Sequence, residues 1–168
     1  MTCDTPLLTE LKTRARLRLN AARRPGAVAA GAPSQVASPR LRHCLNQVAS
    51  EVGFSRWDHA RHVLGGQAVP GDDQGRFWHA PRCSHLLNQW FGDYGQARAA
   101  HAAAGLAFLL PYRRQFVVVQ GDFIVELGLD PADAAWVAAQ RDLVGTYGSA
   151  AWLALAVRRL KAPHAAFG

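Results

Sequence analysis

Apolar residues at helical spacing dominate the pattern along this chain. The first such stretch follows Thr5 and Pro6, a helix-capping residue and the residue favoured at the first helical position. Its opposite face is basic, so the pattern predicts an amphipathic first helix. The apolar stripe of this helix consists of Leu8, Leu11, Ala15, Leu19 and Ala22.

Further helices follow from the same spacing together with capping signals. The pattern predicts helices over residues 38–53, 55–64, 86–91 and 93–104, and then over 122–127, 130–144 and 149–160. At two of these helix starts, a Ser or Asp at the capping position is followed three residues later by an acidic or amide side chain that can accept a hydrogen bond from the backbone of the capping residue. Ser55 with Asp58 and Asp93 with Gln96 are both predicted to form capping boxes.

One segment predicts β-structure. Residues 106–110 and 115–120 are short apolar runs separated by PYRR, a pattern typical of two buried strands in a hairpin. The predicted fold class is therefore α+β and predominantly α-helical, with about seven helices and one small β-hairpin.

The chain length predicts one core, because single domains mostly contain about 100–150 residues and this chain has 168. Residues 25–38 are rich in Gly, Pro, Ala and Ser and contain no charge, which is typical of a flexible linker. The predicted organisation is a basic amphipathic helix at 1–24, this linker at 25–38, and a single globular α-rich domain at 39–168.

Positive charge is concentrated near the amino end. The net charge is +6 over residues 1–66 and +1 over residues 67–168. Of 19 basic residues 17 are arginine, whose planar guanidinium binds phosphate and carboxylate groups through two parallel hydrogen bonds. The predicted anion-binding residues are Arg113 and Arg114 between the two strands, and on the first helix Lys12, Arg14, Arg16, Arg18, Arg23 and Arg24.

Cysteine content and hydropathy predict a cytoplasmic protein. Cys3, Cys44 and Cys83 are an odd number in a chain that is long enough to fold without covalent crosslinks. No apolar run approaches the roughly 20 residues that cross a bilayer, and the first ten residues show no apolar signal segment. We therefore expect neither secretion nor membrane insertion.

A resemblance covers about residues 11–64. The run CLNQVASEVGFSRWDHARHVL, with Leu11, Lys12 and Ala15 upstream, resembles the helical amino-terminal segment of many small uncharacterised bacterial proteins, some labelled glyoxalase-superfamily-related. The shared feature is a Gly-Phe-x-x-Trp segment after an apolar helix, although Cys44 stands where that pattern usually has alanine. The resemblance implies a local helical hairpin in a bacterial protein, and no activity, metal or catalytic residue.

The densest group of chemically reactive side chains is His79, Cys83 and His85. Imidazole and thiolate are preferred ligands of zinc and copper, so these three residues are candidate metal ligands that lack a fourth partner. Alternatively, Cys83 near a helix start, beside Arg82 and a histidine, is a candidate nucleophile. In the remaining alternative Cys83 is a small buried residue and the histidines are its hydrogen-bonded neighbours. The sequence then predicts no cofactor, with zinc or copper as the alternative.

Two further histidines are expected on one helix face, since His59 and His62 are one turn apart. We expect them to belong to a polar face with nearby arginines rather than to a metal site. The loop GGQAVPGDDQG lacks the spacing of a phosphate-binding loop. Its adjacent Asp72 and Asp73 are expected to point in different directions.

The charge asymmetry favours a non-enzymatic binding or regulatory protein. Its basic amino-terminal helix would contact an anionic partner, either nucleic acid or an acidic protein surface. One alternative is a metal-binding protein or a Cys/His-based enzyme centred on His79, Cys83 and His85. A second alternative is a protein-interaction module that packs the apolar stripe of the first helix on another chain, including a second copy of itself.

Overall fold

The computed structural model describes residues 4–24 and 40–163. Within these ranges the chain forms seven α-helices and a three-stranded antiparallel sheet, so the fold is α+β and mostly helical, as predicted. The predicted linker at 25–38 and Cys3 lie outside the described residues. The helices are α1 (Pro6–Ala22), α2 (Leu41–Glu51), α3 (Trp57–Leu64), α4 (Tyr94–Ala103), α5 (Gly121–Glu126), α6 (Ala134–Ala138) and α7 (Ala150–Lys161).

Side-chain caps begin three helices at the residues that the sequence indicates. Thr5, Asp93 and Ser149 each accept a hydrogen bond from a backbone N–H in the first turn of α1, α4 and α7, at 3.3, 2.9 and 3.2 Å. Such caps satisfy donors that a helix start otherwise leaves unpaired. The predicted starts of these helices are confirmed.

The start of α3 differs from the prediction. The Trp57 N–H donates to Asn46 Oδ1 at 2.9 Å, and Ser55 makes no capping hydrogen bond to the helix backbone. The Asp58 Oδ1 atom lies 3.7 Å from Nη2 of Arg61, a residue of the same helix. The predicted capping box is therefore wrong, because a side chain from α2 supplies the acceptor.

The first helix belongs to the same core as the later elements. Apart from the exposed Ala22, its stripe is buried against α2, α3 and α7, with Leu8, Leu11 and Leu19 only 4%, 0% and 8% exposed. The alternative in which this stripe packs on another chain stays a prediction, and the burial of these leucines within the chain's own fold counts against it.

The sheet has the strand order β1–β3–β2, where β1 is Gln89–Phe91, β2 is Phe108–Tyr112 and β3 is Gln115–Val119. Strands β2 and β3 form the predicted hairpin, but Pro111 and Tyr112 of the predicted PYRR loop belong to β2. Only Arg113 and Arg114 form the turn. Arg113 has a φ of 51°, the left-handed conformation that tight hairpin turns require.

Two predicted helices are corrected by the sheet. Residues 86–91 are not helical: Pro81–His85 forms a short 3-10 helix, and Gln89–Phe91 pairs with β3. The apolar spacing there did not mark a buried face, since Leu87 is 98% exposed. The helix predicted over 130–144 is confined to α6, because residues 140 and 141 have positive φ and the next residues pair with β2 through Leu109.

A buried cation joins the end of α7 to two other segments. Arg159 is 1% exposed and donates hydrogen bonds to the carbonyl oxygens of Phe77 (3.0 Å), Leu127 (3.2 Å) and His79 (3.5 Å). Burial, reinforced by Arg82, lowers the pKa of Arg159 to about 10, so the side chain stays charged at neutral pH. Arg159 thereby fixes residues 77–79 and the end of α5 against the core.

Replacing this cation should destabilise the fold. Arg159→Met removes the donors of buried carbonyl oxygens, and each acceptor left unpaired costs about 1–3 kcal/mol. We expect the free energy of unfolding in urea to fall by about 2 kcal/mol or more. Arg158→Met is the matched control, because Arg158 is exposed and its one acidic partner in the described part of the chain is Asp133, at 3.1 Å. Equal losses for the two variants would contradict this role of Arg159.

Candidate ligand-binding site

Residues 74–76 (the clamped segment) lie between two backbone turns. On one side the Arg76 N–H donates to the Gly53 carbonyl oxygen at 2.8 Å, in the turn between α2 and α3. On the other side the Arg113 N–H donates to the Gly75 oxygen at 2.7 Å, and the Gln74 N–H donates to the Arg113 oxygen at 2.9 Å. The clamped segment therefore ties the tip of the β2–β3 hairpin to the start of α3.

Glycine permits this close approach. Gly53 has a φ of 98°, and a Cβ there would lie 2.7 Å from the carbonyl carbon of Arg76. Gly75 has a φ of 66°, and its Cβ would lie 2.7 Å from Cδ1 of Phe54. The Gly-Phe pair that begins the Gly-Phe-x-x-Trp segment is therefore where two parts of the backbone pack directly together.

Two histidines of α3 hold the loop that precedes the clamped segment. His62 Nε2 lies 2.8 Å from Asp72 Oδ2, and His59 Nε2 lies 2.7 Å from the backbone oxygen of Asp73. The Val69 N–H also donates to Asp72 Oδ2, at 2.9 Å. The hydrogen bond from His62 is the main cause that holds the pKa of Asp72 below its usual value. These contacts fix residues 69–73 against α3.

A cavity of about 180 Å³ (the hairpin cavity) lies between this loop, the hairpin tip and residues 143–147. The hydroxyl of Tyr147 at its edge is already used, because it donates to the Val63 oxygen and accepts from the Ala68 N–H at 3.2 Å. Burial raises the pKa of Tyr147. Most of the lining is apolar, from Ala68, Val69, Pro70, Pro111, Phe116, Leu143 and Val144.

Asp142 organises the wall formed by residues 143–145. Its Oδ1 accepts hydrogen bonds from the N–H groups of Val144 (2.9 Å) and Gly145 (2.8 Å). Its Oδ2 accepts one from the hydroxyl of Tyr94 at 2.6 Å. Burial, reinforced by the carboxylate of Asp142, raises the pKa of Tyr94 to about 12. Asp142 therefore connects the cavity wall to α4.

Arg113 and Arg114 lie together at the mouth of the hairpin cavity. Both are exposed, and neither guanidinium forms a salt bridge with a residue that the structure describes. Arg114 is nevertheless close enough to Asp72, which lines the same cavity, to contribute to the lowered pKa of that carboxyl. The guanidinium carbon of Arg113 lies 5.7 Å from the centre of the Tyr112 ring. Of the predicted anion-binding residues, these two are the ones that line an apolar cavity.

Half of the predicted basic face of α1 is already neutralised. Lys12 pairs with Asp4, Arg14 pairs with Glu10 at 2.8 Å, and Arg18 pairs with Glu51 at 2.5 Å. Arg14 also donates to the Leu160 oxygen at 3.1 Å. Arg16, Arg23 and Arg24 are exposed and have no acidic partner within residues 4–24 and 40–163.

The structure does not bring His79, Cys83 and His85 together as a metal site, since no group of three metal-binding side chains occurs among the described residues. His85 is exposed, whereas Cys83 is 0% exposed. Burial raises the pKa of the Cys83 thiol, which is the opposite of what an activated nucleophile needs.

The ring of His79 is packed in an aromatic cluster. It lies 5.0 Å from the ring of Tyr112, 5.9 Å from that of Phe123 and 6.3 Å from that of Trp90, measured between centres. Burial of the imidazole lowers the pKa of His79. These contacts agree with the alternative in which His79 and Cys83 have structural roles.

Comparison with known proteins does not assign this site. No protein-family model, curated protein or solved structure matches the chain. The resemblance over residues 11–64 therefore stays a prediction. None of the described helices is long and apolar enough to cross a membrane.

Sequence reasoning missed most residues of the hairpin cavity. The lining comes from three segments, residues 68–74, 111–116 and 143–147, which are distant in the chain. The pattern had identified Arg113 and Arg114 by their place in the hairpin turn. It gave no signal for Tyr147 or Asp142, whose roles depend on contacts with residues 48 to 84 positions away.

Alkaline pH should weaken the bond between Tyr94 and Asp142. Tyr94 has a pKa of about 12 in the folded protein, against about 10 for an unfolded tyrosine. The contribution of this bond to stability is therefore complete below about pH 10 and is lost as the pH rises through about 12. We expect Tyr94→Phe to lower the free energy of unfolding by about 1 kcal/mol at neutral pH, and by less at pH 12.

Tyr112→Phe is the control for this measurement. The Tyr112 hydroxyl has no hydrogen-bond partner among the described residues. The difference in free energy of unfolding between Tyr112→Phe and wild type should therefore not decrease from neutral pH to pH 12. If the Tyr94→Phe difference were equally large at neutral pH and at pH 12, the bond would not have the role assigned to it.

Proposed function

We propose that this protein binds a small anionic molecule with an apolar body in the hairpin cavity. The anionic group would lie at the mouth, against Arg113 and Arg114. The observation that carries the proposal is the combination of a mostly apolar cavity with two exposed guanidinium groups that form no salt bridge with a described residue. The carboxylate of Asp72 in the same lining is already held by His62 and by the Val69 N–H. Arginine suits this role because its planar fork binds carboxylate and phosphate oxygens in pairs.

The volume of the cavity limits the ligand. An apolar protein cavity of roughly 150 Å³ holds one benzene molecule. The hairpin cavity, at about 180 Å³, therefore suits a single ring or a short branched chain. Because the hydroxyl of Tyr147 is already hydrogen-bonded, the polar atoms of the ligand belong at the mouth rather than inside.

A second candidate function is contact between α1 and a macromolecular anion, either nucleic acid or an acidic protein surface. Arg16, Arg23 and Arg24 favour it, because they are exposed and have no acidic partner in the part of the chain that the structure describes. The ion pairs of Lys12, Arg14 and Arg18 weaken it, because an incoming anion would have to compete with their carboxylates. The anion-binding role of α1 therefore ranks below that of the hairpin tip.

Phenylacetate is a suitable probe, since it combines one ring with one carboxylate. We expect saturable binding to the wild type in a calorimetric titration, and weaker binding of phenylacetamide, which has a similar shape and no charge. Arg114→Gln should weaken phenylacetate binding by about tenfold, because a hydrogen bond to a charged group contributes about 1.5–3 kcal/mol. Arg113→Gln should act in the same direction.

Arg16→Gln is the matched control, because it removes an exposed arginine that has no acidic partner among residues 4–24 and 40–163 and lies far from the hairpin in the sequence. It should leave phenylacetate binding unchanged. Absence of saturable binding at millimolar phenylacetate, or equal affinity for the acid and the amide, would overturn the proposal. Duplex DNA in place of phenylacetate tests the second candidate, for which Arg16→Gln and not Arg114→Gln should weaken binding.

A further inference from the structure

The hydroxyl of Ser55 does not cap α3, although serine before a helix commonly does so. The first N–H of α3, that of Trp57, donates to the side-chain oxygen of Asn46. Instead Ser55 Oγ lies 3.1 Å from His59 Nδ1. Serine and imidazole at this distance are the arrangement of a nucleophile and its general base.

The hydrogen bonds of His59 determine which nitrogen carries the proton. His59 Nε2 lies 2.7 Å from the backbone oxygen of Asp73, and a carbonyl oxygen can only accept. Nε2 therefore carries the hydrogen in the neutral ring, and Nδ1 has a free lone pair. Two donors of Ser55 point to that lone pair, the backbone N–H at 3.3 Å and the hydroxyl. The basic nitrogen of the neutral imidazole, Nδ1, therefore faces the serine oxygen.

The surroundings hold the ring in this orientation. The side chain of His59 is only 14% exposed, and the ring edge packs on Phe54 with 5.2 Å between the ring centres. The carboxylate of Asp73 lies 3.8 Å from Nε2, where it faces the positive charge that the ring gains on taking a second proton. A third group that orients the base completes the arrangement typical of acyl-transfer sites.

Open space adjoins the serine oxygen. A shallow, open depression of about 350 Å³ is lined by Ser55, His59 and Asp73 together with Arg56, Asp58 and His62. A cavity of about 210 Å³ also includes Ser55 and His59 and extends towards Arg113. The backbone N–H groups of Asp58 and His59, in the first turn of α3, have no acceptor among the described residues. They are the donors available to a developing oxyanion.

We propose that Ser55 and His59 form a nucleophile–base pair that hydrolyses small carboxylic esters. Ser55 Oγ attacks the ester carbonyl carbon while His59 Nδ1 accepts the hydroxyl proton. The bond to the leaving oxygen then breaks, and the proton passes from His59 to the departing alcohol. A water molecule attacks the acyl-serine, gives its proton to His59 and releases the carboxylic acid, after which His59 returns the proton to Ser55.

This proposal is independent of ligand binding in the hairpin cavity. The two sites share the neighbouring Arg113, but Arg114 lines only the hairpin cavity among the described cavities. Arg114→Gln should therefore weaken phenylacetate binding and leave ester hydrolysis unchanged. Failure of one proposal would leave the other standing.

The test uses the full chain with p-nitrophenyl acetate as the ester. We expect a burst of p-nitrophenolate equal to the amount of protein, and a mass gain of one acetyl group that peptide mapping places on Ser55. Ser55→Ala should abolish both signals. His59→Gln should slow acylation about a hundredfold or more, because a positioned general base contributes about 10²–10⁴ to the rate.

Ser84→Ala is the matched control, because Ser84 is an exposed serine in the short 3-10 helix. It should keep the burst and the acetylated peptide. Ser55 is itself exposed, so Ser55→Ala should fold as the wild type does, which circular dichroism checks. Acetylation at a residue other than Ser55, or a wild-type burst in Ser55→Ala, would overturn the proposal.

Discussion

Backbone hydrogen bonds at the clamped segment hold together the parts of the chain that carry the proposed chemistry. The N–H of Arg76 donates to Gly53, and the N–H of Arg113 donates to Gly75. They join the turn between α2 and α3 to a hairpin tip that lies 60 residues further along the sequence. The contact is so close that a side chain at position 53 would overlap the backbone of Arg76. Glycine at this position is therefore a requirement of the fold.

Both proposed sites depend on the position of the clamped segment. Arg113, fixed through its backbone, lines the hairpin cavity on one side and the smaller cavity beside Ser55 on the other. The histidines of α3 act on the same loop, His62 through the carboxylate of Asp72 and His59 through the backbone of Asp73. The polar face of α3 is thus a set of specific contacts with the loop. Loosening the loop would disturb ligand binding and ester hydrolysis together.

The sequence predicted what depends on local interactions. Helix starts with their own side-chain caps, such as Ser149, and the β2–β3 hairpin were predicted correctly, because their signals lie within a few residues. Strand β1 was missed, since its residues pair with residues of β3 that lie 25 to 29 positions further along. The ion pair of Arg18 with Glu51 was missed for the same reason, because it depends on how α1 and α2 pack. The start of α3 was also mispredicted because its acceptor is Asn46 of α2, although Ser55 itself contacts His59 only four residues away. Charge counts along the chain therefore overstated the basic face of α1.

Native-state hydrogen exchange of the Arg76 and Arg113 amides tests the clamped segment most directly, because it measures how often these bonds open. Gly53→Ala should remove their protection. Gly66→Ala should retain it, since Gly66 also has a positive φ, 77°, but a Cβ there meets nothing within 4 Å. The comparison separates the close approach at Gly53 from the general cost of alanine in a left-handed conformation. If the Arg76 and Arg113 amides were as well protected in Gly53→Ala as in Gly66→Ala, this account would be contradicted.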